Sequence, residues 1–324
     1  MNLNTFNNRG NRPTKSGFGE GLLEAGKRNP LVMAIGADIT SSVGANLFAE
    51  AFPDRFISIG IAEQNGMGIA TGLALEGKIP VFSTYGVFAA HRAADQIRVS
   101  VCYNNVHVII GGAHAGVSVG PDGATHQALE DLAVMRVLPN MTVLSPCDAT
   151  QTKLATIAAI EQCHGPVYIR FGREPMPDFT DDSKPYAIGK ADTLRQGSDL
   201  TIAATGHLVW EALMASETLQ SLGISAQVLN IHTIKPLDKE TILRAARETG
   251  AIITAEEHQI AGGLGGAIAE LVAGNLPVPM EFIGMNNRFG ESGKAENLME
   301  IFGMKSSMIV KKSLLLVERK INNK

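Results

Sequence analysis

A glutamate stands at the head of GIAEQNGMGIATGLAL (60–75), a helical pattern made almost wholly of small and apolar residues. Glu63 reads in two ways: as a first-turn carboxylate complementing the helix dipole, or as a group held against something that comes close to the helix. Gly66, Gly68 and Gly72 each cost about 1 kcal/mol relative to alanine in a helix interior, so something comes close to that backbone, a second helix and a ligand fitting the stretch equally well. A second set of reactive side chains lies in GGAHAGVSVGPDGATHQ (111–127), where His114, Asp122 and His126 stand among glycines that let a chain turn tightly and bring them to one point. Histidines flanking a carboxylate suit proton exchange and the holding of polar substrate groups. Tyr85 ends an apolar run, where an aromatic can stack on a ring, and Arg173 carries a planar fork that engages two oxygens at once.

These residues need elements to place them. The runs LVMAIGAD (31–38), RFISIG (55–60), IPVFSTY (79–85), VHVIIGG (106–112), MTVLSP (141–146) and PVYIRF (166–171) read as buried strands. Helical patterns such as NLFAEAF, FAAHRAADQIRVSVCY and DATQTKLATIAAIEQC alternate with them. That alternation predicts a parallel sheet with crossover helices. Residues 173–192 are rich in Pro, Asp and Lys without periodicity, and read as a domain boundary. Strands near DLTIAAT (199–205), SAQVLNI (225–231), AIITAEE (251–257) and PMEFIG (279–284) then form a second set. The expected fold class is α/β with two doubly wound domains, at 12–178 and 190–324. On such sheets ligands gather at the C-terminal ends of the strands. There the first half offers Asp38, Glu63, Tyr85, His114, Asp122, His126 and Arg173, and the second chiefly Glu256, Glu257 and His258.

The chain has 324 residues, enough for about two domains, and 28 basic against 32 acidic side chains. A net charge of -4 leaves no cationic excess for nucleic acid or an anionic membrane. No apolar run is long enough to span a bilayer, and the polar opening MNLNTFNNRGNRPTK lacks the apolar core of a secretory signal, so a cytoplasmic location is expected. Cys102, Cys147 and Cys163 are widely spaced and read as ordinary reduced thiols. GGLGGA (262–267) lacks the end of a dinucleotide fingerprint and there is no Walker A sequence, which disfavours a NAD or ATP enzyme.

GIAEQNGMGIATGLAL, FSTYGVFAAHRAADQIR, GAHAGVSVGPDGATHQALEDLAVMRVLPNMTVLSPCD and EEHQIAGGLGGA together resemble the C-terminal portion of transketolase. The resemblance runs from about Pro13 to Glu318. It implies a pyrimidine-binding domain followed by a transketolase C-terminal domain, and thiamine diphosphate as cofactor. Glu63 then hydrogen-bonds the cofactor's aminopyrimidine and favours its imino tautomer. The family places an aromatic at the position of Tyr85, over the pyrimidine face. Phe88 reads either as a neighbour of that ring or as core, and Asp38 and Ile39 fall among the cofactor-binding positions. By the same resemblance His126 lies beside the cofactor and the reacting carbonyl, Asp122 bonds a sugar hydroxyl, and His114, Arg173 and Ser42 hold the substrate's phosphate. Lys15 stands where a second phosphate-binding arginine is usual, and a point charge cannot imitate a bidentate grip. It reads equally as a surface lysine. His91 stands where many members carry an aromatic, and its role is open.

The family clamps diphosphate and metal on a separate domain with a GDG motif, absent from this sequence. No metal ligands are therefore expected here. Mg²⁺ belongs on a partner, an N-terminal transketolase subunit, most simply in a two-plus-two heterotetramer. The expected reaction is transfer of a two-carbon ketol unit between sugar phosphates. The second domain would mainly build the interface, without direct chemistry from its EEH and GGLGG segments. A beta subunit of a 2-oxo acid dehydrogenase and an idle scaffold are the alternatives. The loop from His114 and the intact Glu63 argue against them.

Overall fold

The computed structural model describes residues 8–322. Residues 1–7 of the polar opening, and the last two residues assigned to the second domain, lie outside the described residues. Each apolar run above forms a strand. Seven strands make the first sheet, in the order Thr233–Lys235, Thr142–Leu144, Val167–Arg170, Ile109–Ala113, Ile79–Tyr85, Val32–Gly36, Phe56–Ser58. All are parallel except the first, which pairs antiparallel with its neighbour. That edge strand belongs in sequence to the second half of the chain, so the halves share a sheet. The second sheet has five strands, in the order Met280–Met285, Ile252–Gln259, Leu200–Ala204, Ala226–Asn230, Asp192–Arg195. Its last strand alone is antiparallel.

The four central strands of the first sheet are buried over nearly their whole length, as parallel strands covered on both faces must be, while the edge strand Phe56–Ser58 is not. Helices Thr14–Arg28 and Ala149–Gln162 cover one face around Phe18, Leu22, Phe48 and Ile169. On the other face a core of Met67, Phe82, Ile97 and Tyr168 continues into Leu229, Ile252 and Ile268 of the second sheet's layer. One apolar core thus joins the two halves. Within the boundary stretch read between them, Pro175–Pro177 is a short strand paired with Asn11–Pro13.

FAAHRAADQIRVSVCY is less regular than its sequence suggests. It runs as π-helical turns at Phe88–Arg92 and Ile97–Tyr103 around a short α-helical piece, Ala94–Gln96. Such wide turns are often found at functional sites.

In the first sheet, the crossovers leave the edges of Val32–Gly36 and Ile79–Tyr85 in opposite directions. The crevice beyond their C-terminal ends is the switch point at which doubly wound sheets bind ligands.

Candidate active site

Glu63 opens the helix Glu63–Leu75, with no side-chain cap before it. A carboxylate serving only the helix dipole would sit in water. Glu63 is instead 2% exposed, and it receives a hydrogen bond from Arg92 Nη1 on Oε2 at 2.8 Å. Its other oxygen has only Thr84 Oγ1, at 3.5 Å. Burying an ionised carboxylate is tolerable only when it is paired, and here one of its two oxygens is weakly used.

The helix glycines divide into two kinds. A Cβ on Gly66 would lie 2.4 Å from Ile59 Cδ1 and 2.8 Å from Phe82 Cε2, so close packing within the chain requires glycine there. Gly68 and Gly72 face open space, on an exposed side of the helix flanked by Ile61 and Leu75. The chain itself accounts for neither.

Tyr85 stands on the switch point. Its hydroxyl and Ser42 Oγ are 2.9 Å apart, which ties the end of one strand to the loop following the other. Around Tyr85 gather the rings of His114 (centroids 4.3 Å apart), His126 (5.6 Å) and Phe88 (5.8 Å). Phe88 and His126 meet edge to face at 5.4 Å. Phe88 is therefore part of the aromatic group, not plain core. Asp38, with φ of 63°, is exposed just after the strand Val32–Gly36, and Ile39 packs beside Tyr85 against the core.

The anion-binding candidates also converge. Thr14 Oγ1 accepts the N–H of Gly172 at 2.7 Å, and the N–H of Lys15 bonds the Gly172 carbonyl at 3.3 Å. These contacts set the start of the helix Thr14–Arg28 against the turn carrying Arg173. Burial first, and then the charge of Arg173, lower the ammonium pKa of Lys15 from its usual range. The guanidinium of Arg173 bonds Asp122 at 2.9 Å and faces Glu174 at 3.5 Å. His114 is 2% exposed, with Nε2 3.4 Å from Ser42 and Nδ1 buried without a partner. Burial, then the charges of Lys15 and Arg173, bring its pKa down to about 4. His114 is thus a neutral imidazole at neutral pH, able to donate a hydrogen bond without adding charge. His126 Nδ1 sits 2.9 Å from Thr125 Oγ1. His91, on the outer side of its turn, faces Glu130 at 3.6 Å.

The loop bearing His114, Asp122 and His126 rests on the second domain. Glu257 accepts the N–H of Ser118 at 2.5 Å, and Gln127 donates to the Glu291 carbonyl at 2.9 Å. Gly116, Gly120 and Gly123 all have positive φ, and side chains on them would meet Glu257, Gly293 and Ser292 respectively. The EEH segment therefore supports the first domain's loop from within the same chain. Glu256 accepts the amides of Leu264 and Gly265, which explains GGLGG as a helix start, and His258 Nε2 accepts the N–H of Ala133. Buried Arg170 completes the junction by bonding Asp131 and the carbonyls of Ala128 and Glu257. Arg92 and Thr84 are members that the sequence did not reveal; Glu257 was noted there at a strand end, but not as the support of this loop.

Two clefts of about 530 and 520 Å³ lie elsewhere, the second behind the loop at Ser118 and His207. Neither is lined by Glu63 or Tyr85. Among the described residues no group of three or more His, Cys, Asp and Glu side chains could hold a metal ion, and no helix is long and apolar enough to cross a membrane.

Comparison with known proteins defines the class. Residues 11–177 match the family model of the transketolase pyrimidine-binding domain, and residues 189–309 that of the transketolase C-terminal domain. A 6-deoxy-6-sulfo-D-fructose transketolase subunit of Clostridium sp. (strain MSTE9) is 41% identical over 92% of each chain. An apulose-4-phosphate transketolase subunit of Phocaeicola vulgatus is 38% identical, over 94% of this chain and 97% of that one. Among solved structures, a split gene transketolase described as an inactive β4 tetramer superposes with a TM-score of 0.89 at 43% identity, covering 95% of this chain and 99% of that one. The chain belongs to the transketolase family, as a C-terminal section of the kind found in split enzymes.

Proposed function

We propose that this chain is the C-terminal subunit of a split transketolase, transferring a two-carbon ketol unit from a ketose phosphate to an aldose phosphate. The observation that carries the reading is the pairing of a buried, half-satisfied carboxylate, Glu63, with the aromatic group of Tyr85, Phe88 and His126, beside the anion-facing set of Ser42, Lys15, His114 and Arg173. An aminopyrimidine needs such a carboxylate for a ring nitrogen and an aromatic face to stack on. Thiamine diphosphate, when bound, supplies the carbanion chemistry that amino-acid side chains lack. The residues of this chain do the rest. Glu63 would hold the pyrimidine through a proton on its carboxylate, Tyr85 and Phe88 would offer it a ring face, and Asp38 and Ile39 would line the crevice. His126 sits beside the reacting carbonyl, and Asp122 takes a sugar hydroxyl once substrate loosens its pairing with Arg173. Ser42, neutral His114, Arg173 and Lys15 hold the terminal phosphate.

Mg²⁺ and the diphosphate fall to an N-terminal partner subunit, for which a two-plus-two heterotetramer is the simplest symmetric assembly. The inactive β4 relative supports the need for a second kind of chain. The relatives named above carry transketolase names, which gives the dehydrogenase alternative no support. Their named substrates both bear an anionic group on a sugar, as the Lys15 and Arg173 cluster would require.

The test is reconstitution with the GDG-bearing subunit, thiamine diphosphate and Mg²⁺, assayed against a panel of ketose phosphates and 6-deoxy-6-sulfofructose. Ketol transfer without a lipoyl acceptor is expected. Turnover that requires a lipoyl acceptor would contradict the reading.

A further inference from the structure

Arg92 touches Glu63 and has no part in the reaction proposed above. Its guanidinium donates to Glu63 Oε2 at 2.8 Å and lies over the Phe88 ring, 4.1 Å from the centroid. A planar, nitrogen-bearing group thus lies over one of the aromatics and is hydrogen-bonded to the carboxylate. Those are the two contacts assigned to the aminopyrimidine. The π-helical turn Phe88–Arg92 presents the ring and the guanidinium together. Their burial differs sharply: the Glu63 side chain is 2% exposed and that of Arg92 44%. The carboxylate cannot go without a partner, whereas the arginine can swing into water at little cost.

We propose that Arg92 is a placeholder for the cofactor's pyrimidine. It neutralises Glu63 in the cofactor-free subunit, leaving only Oε1 open, and it gives up the Phe88 face, and with it Oε2, when thiamine diphosphate binds. Arg92 is then a positioning residue that lowers apparent cofactor affinity, since only the fraction of molecules with the arginine withdrawn can bind. The proposal rests on the thiamine diphosphate reading above.

Calorimetric titration of thiamine diphosphate, with Mg²⁺, into the two-subunit enzyme tests it. Arg92→Met keeps the apolar stem and removes the guanidinium. Loss of a competing charge-assisted hydrogen bond should tighten Kd by about tenfold. The free Arg92→Met subunit should at the same time melt at a lower temperature than the wild type, and adding Glu63→Gln should recover most of that loss. Unchanged or weaker cofactor binding in Arg92→Met would overturn the proposal. If that variant does not fold, Arg92→Lys, which cannot lie flat on Phe88, is read the same way: tighter binding supports a placeholder, and equal or weaker binding overturns it. A wild-type enzyme that binds no thiamine diphosphate, or a Glu63→Gln enzyme that binds it as tightly as the wild type, would instead defeat the functional reading.

Discussion

Glu257, from the second domain, accepts the backbone N–H of Ser118 in the first at 2.5 Å, while its other oxygen faces His207 Nδ1 at 3.3 Å. The loop that carries His114, Asp122 and His126 is therefore held by a buried carboxylate more than a hundred residues away in sequence. Burial opposes ionisation of Glu257, but the His207 and Ser118 hydrogen bonds and the charge of Arg170 outweigh it and lower its pKa. A carboxyl whose folded pKa lies below the ordinary 4.5 stabilises the fold above pH 4.5, and that contribution is lost as pH falls through the folded value. Glu257→Ala should destabilise the chain by about 2–4 kcal/mol at neutral pH, since it leaves the buried Ser118 amide without a partner and His207 without its carboxylate. Urea unfolding measures this, and the variant should lose part of the acid dependence.

His114 should titrate near pH 4 by NMR, against 6.5 for an ordinary histidine. Between those values the unfolded chain takes up a proton that the folded chain refuses. Stability should accordingly fall as pH drops from 6.5 to about 4, and His114→Asn should flatten that part of the profile. A resonance titrating above 6.5 would mean that the imidazole is charged at the anion site.

The helix glycines predict opposite outcomes. Gly66→Ala overpacks the contact with Ile59 and Phe82 and should cost about 1–3 kcal/mol. Gly68→Ala and Gly72→Ala meet open space, and each should add about 1 kcal/mol to the stability of the isolated chain. If another chain packs on that exposed face, the last two variants should nonetheless assemble poorly with the partner subunit. Analytical ultracentrifugation beside thermal melts separates the two effects.

The strands were legible in the sequence because each is a continuous apolar run between turn signals, and the residues at their ends followed. Thr233–Lys235 was not, since a three-residue pairing with Thr142–Leu144 leaves no local pattern. The π-helical turns at Phe88–Arg92 and Ile97–Tyr103 passed for α-helix, because over so few residues the two periods differ little. Arg92 could have been suspected from its spacing of four after Phe88, which puts the two side chains on one face of a helical turn. Glu257 could not, because its role depends on how the two halves pack.

Arg173→Ala removes the guanidinium that faces both Asp122 and Lys15. In the reconstituted enzyme it should raise KM for sugar phosphates by about 10–100-fold, with a smaller fall in kcat, as expected for a contact made in ground and transition states alike. Lys15→Arg, which restores a bidentate fork, should lower that KM. Steady-state kinetics with one ketose phosphate decides both.

A Glu63 carboxyl that drives the reaction from inside the crevice should not be replaceable by an amide. Glu63→Gln keeps the shape and removes the shared proton, so ketol transfer by the reconstituted enzyme should fall by about 10²–10⁴-fold. Assembly with the partner, followed by size-exclusion chromatography, should persist. Transfer at the wild-type rate in a fully assembled Glu63→Gln enzyme would remove Glu63 from the chemistry.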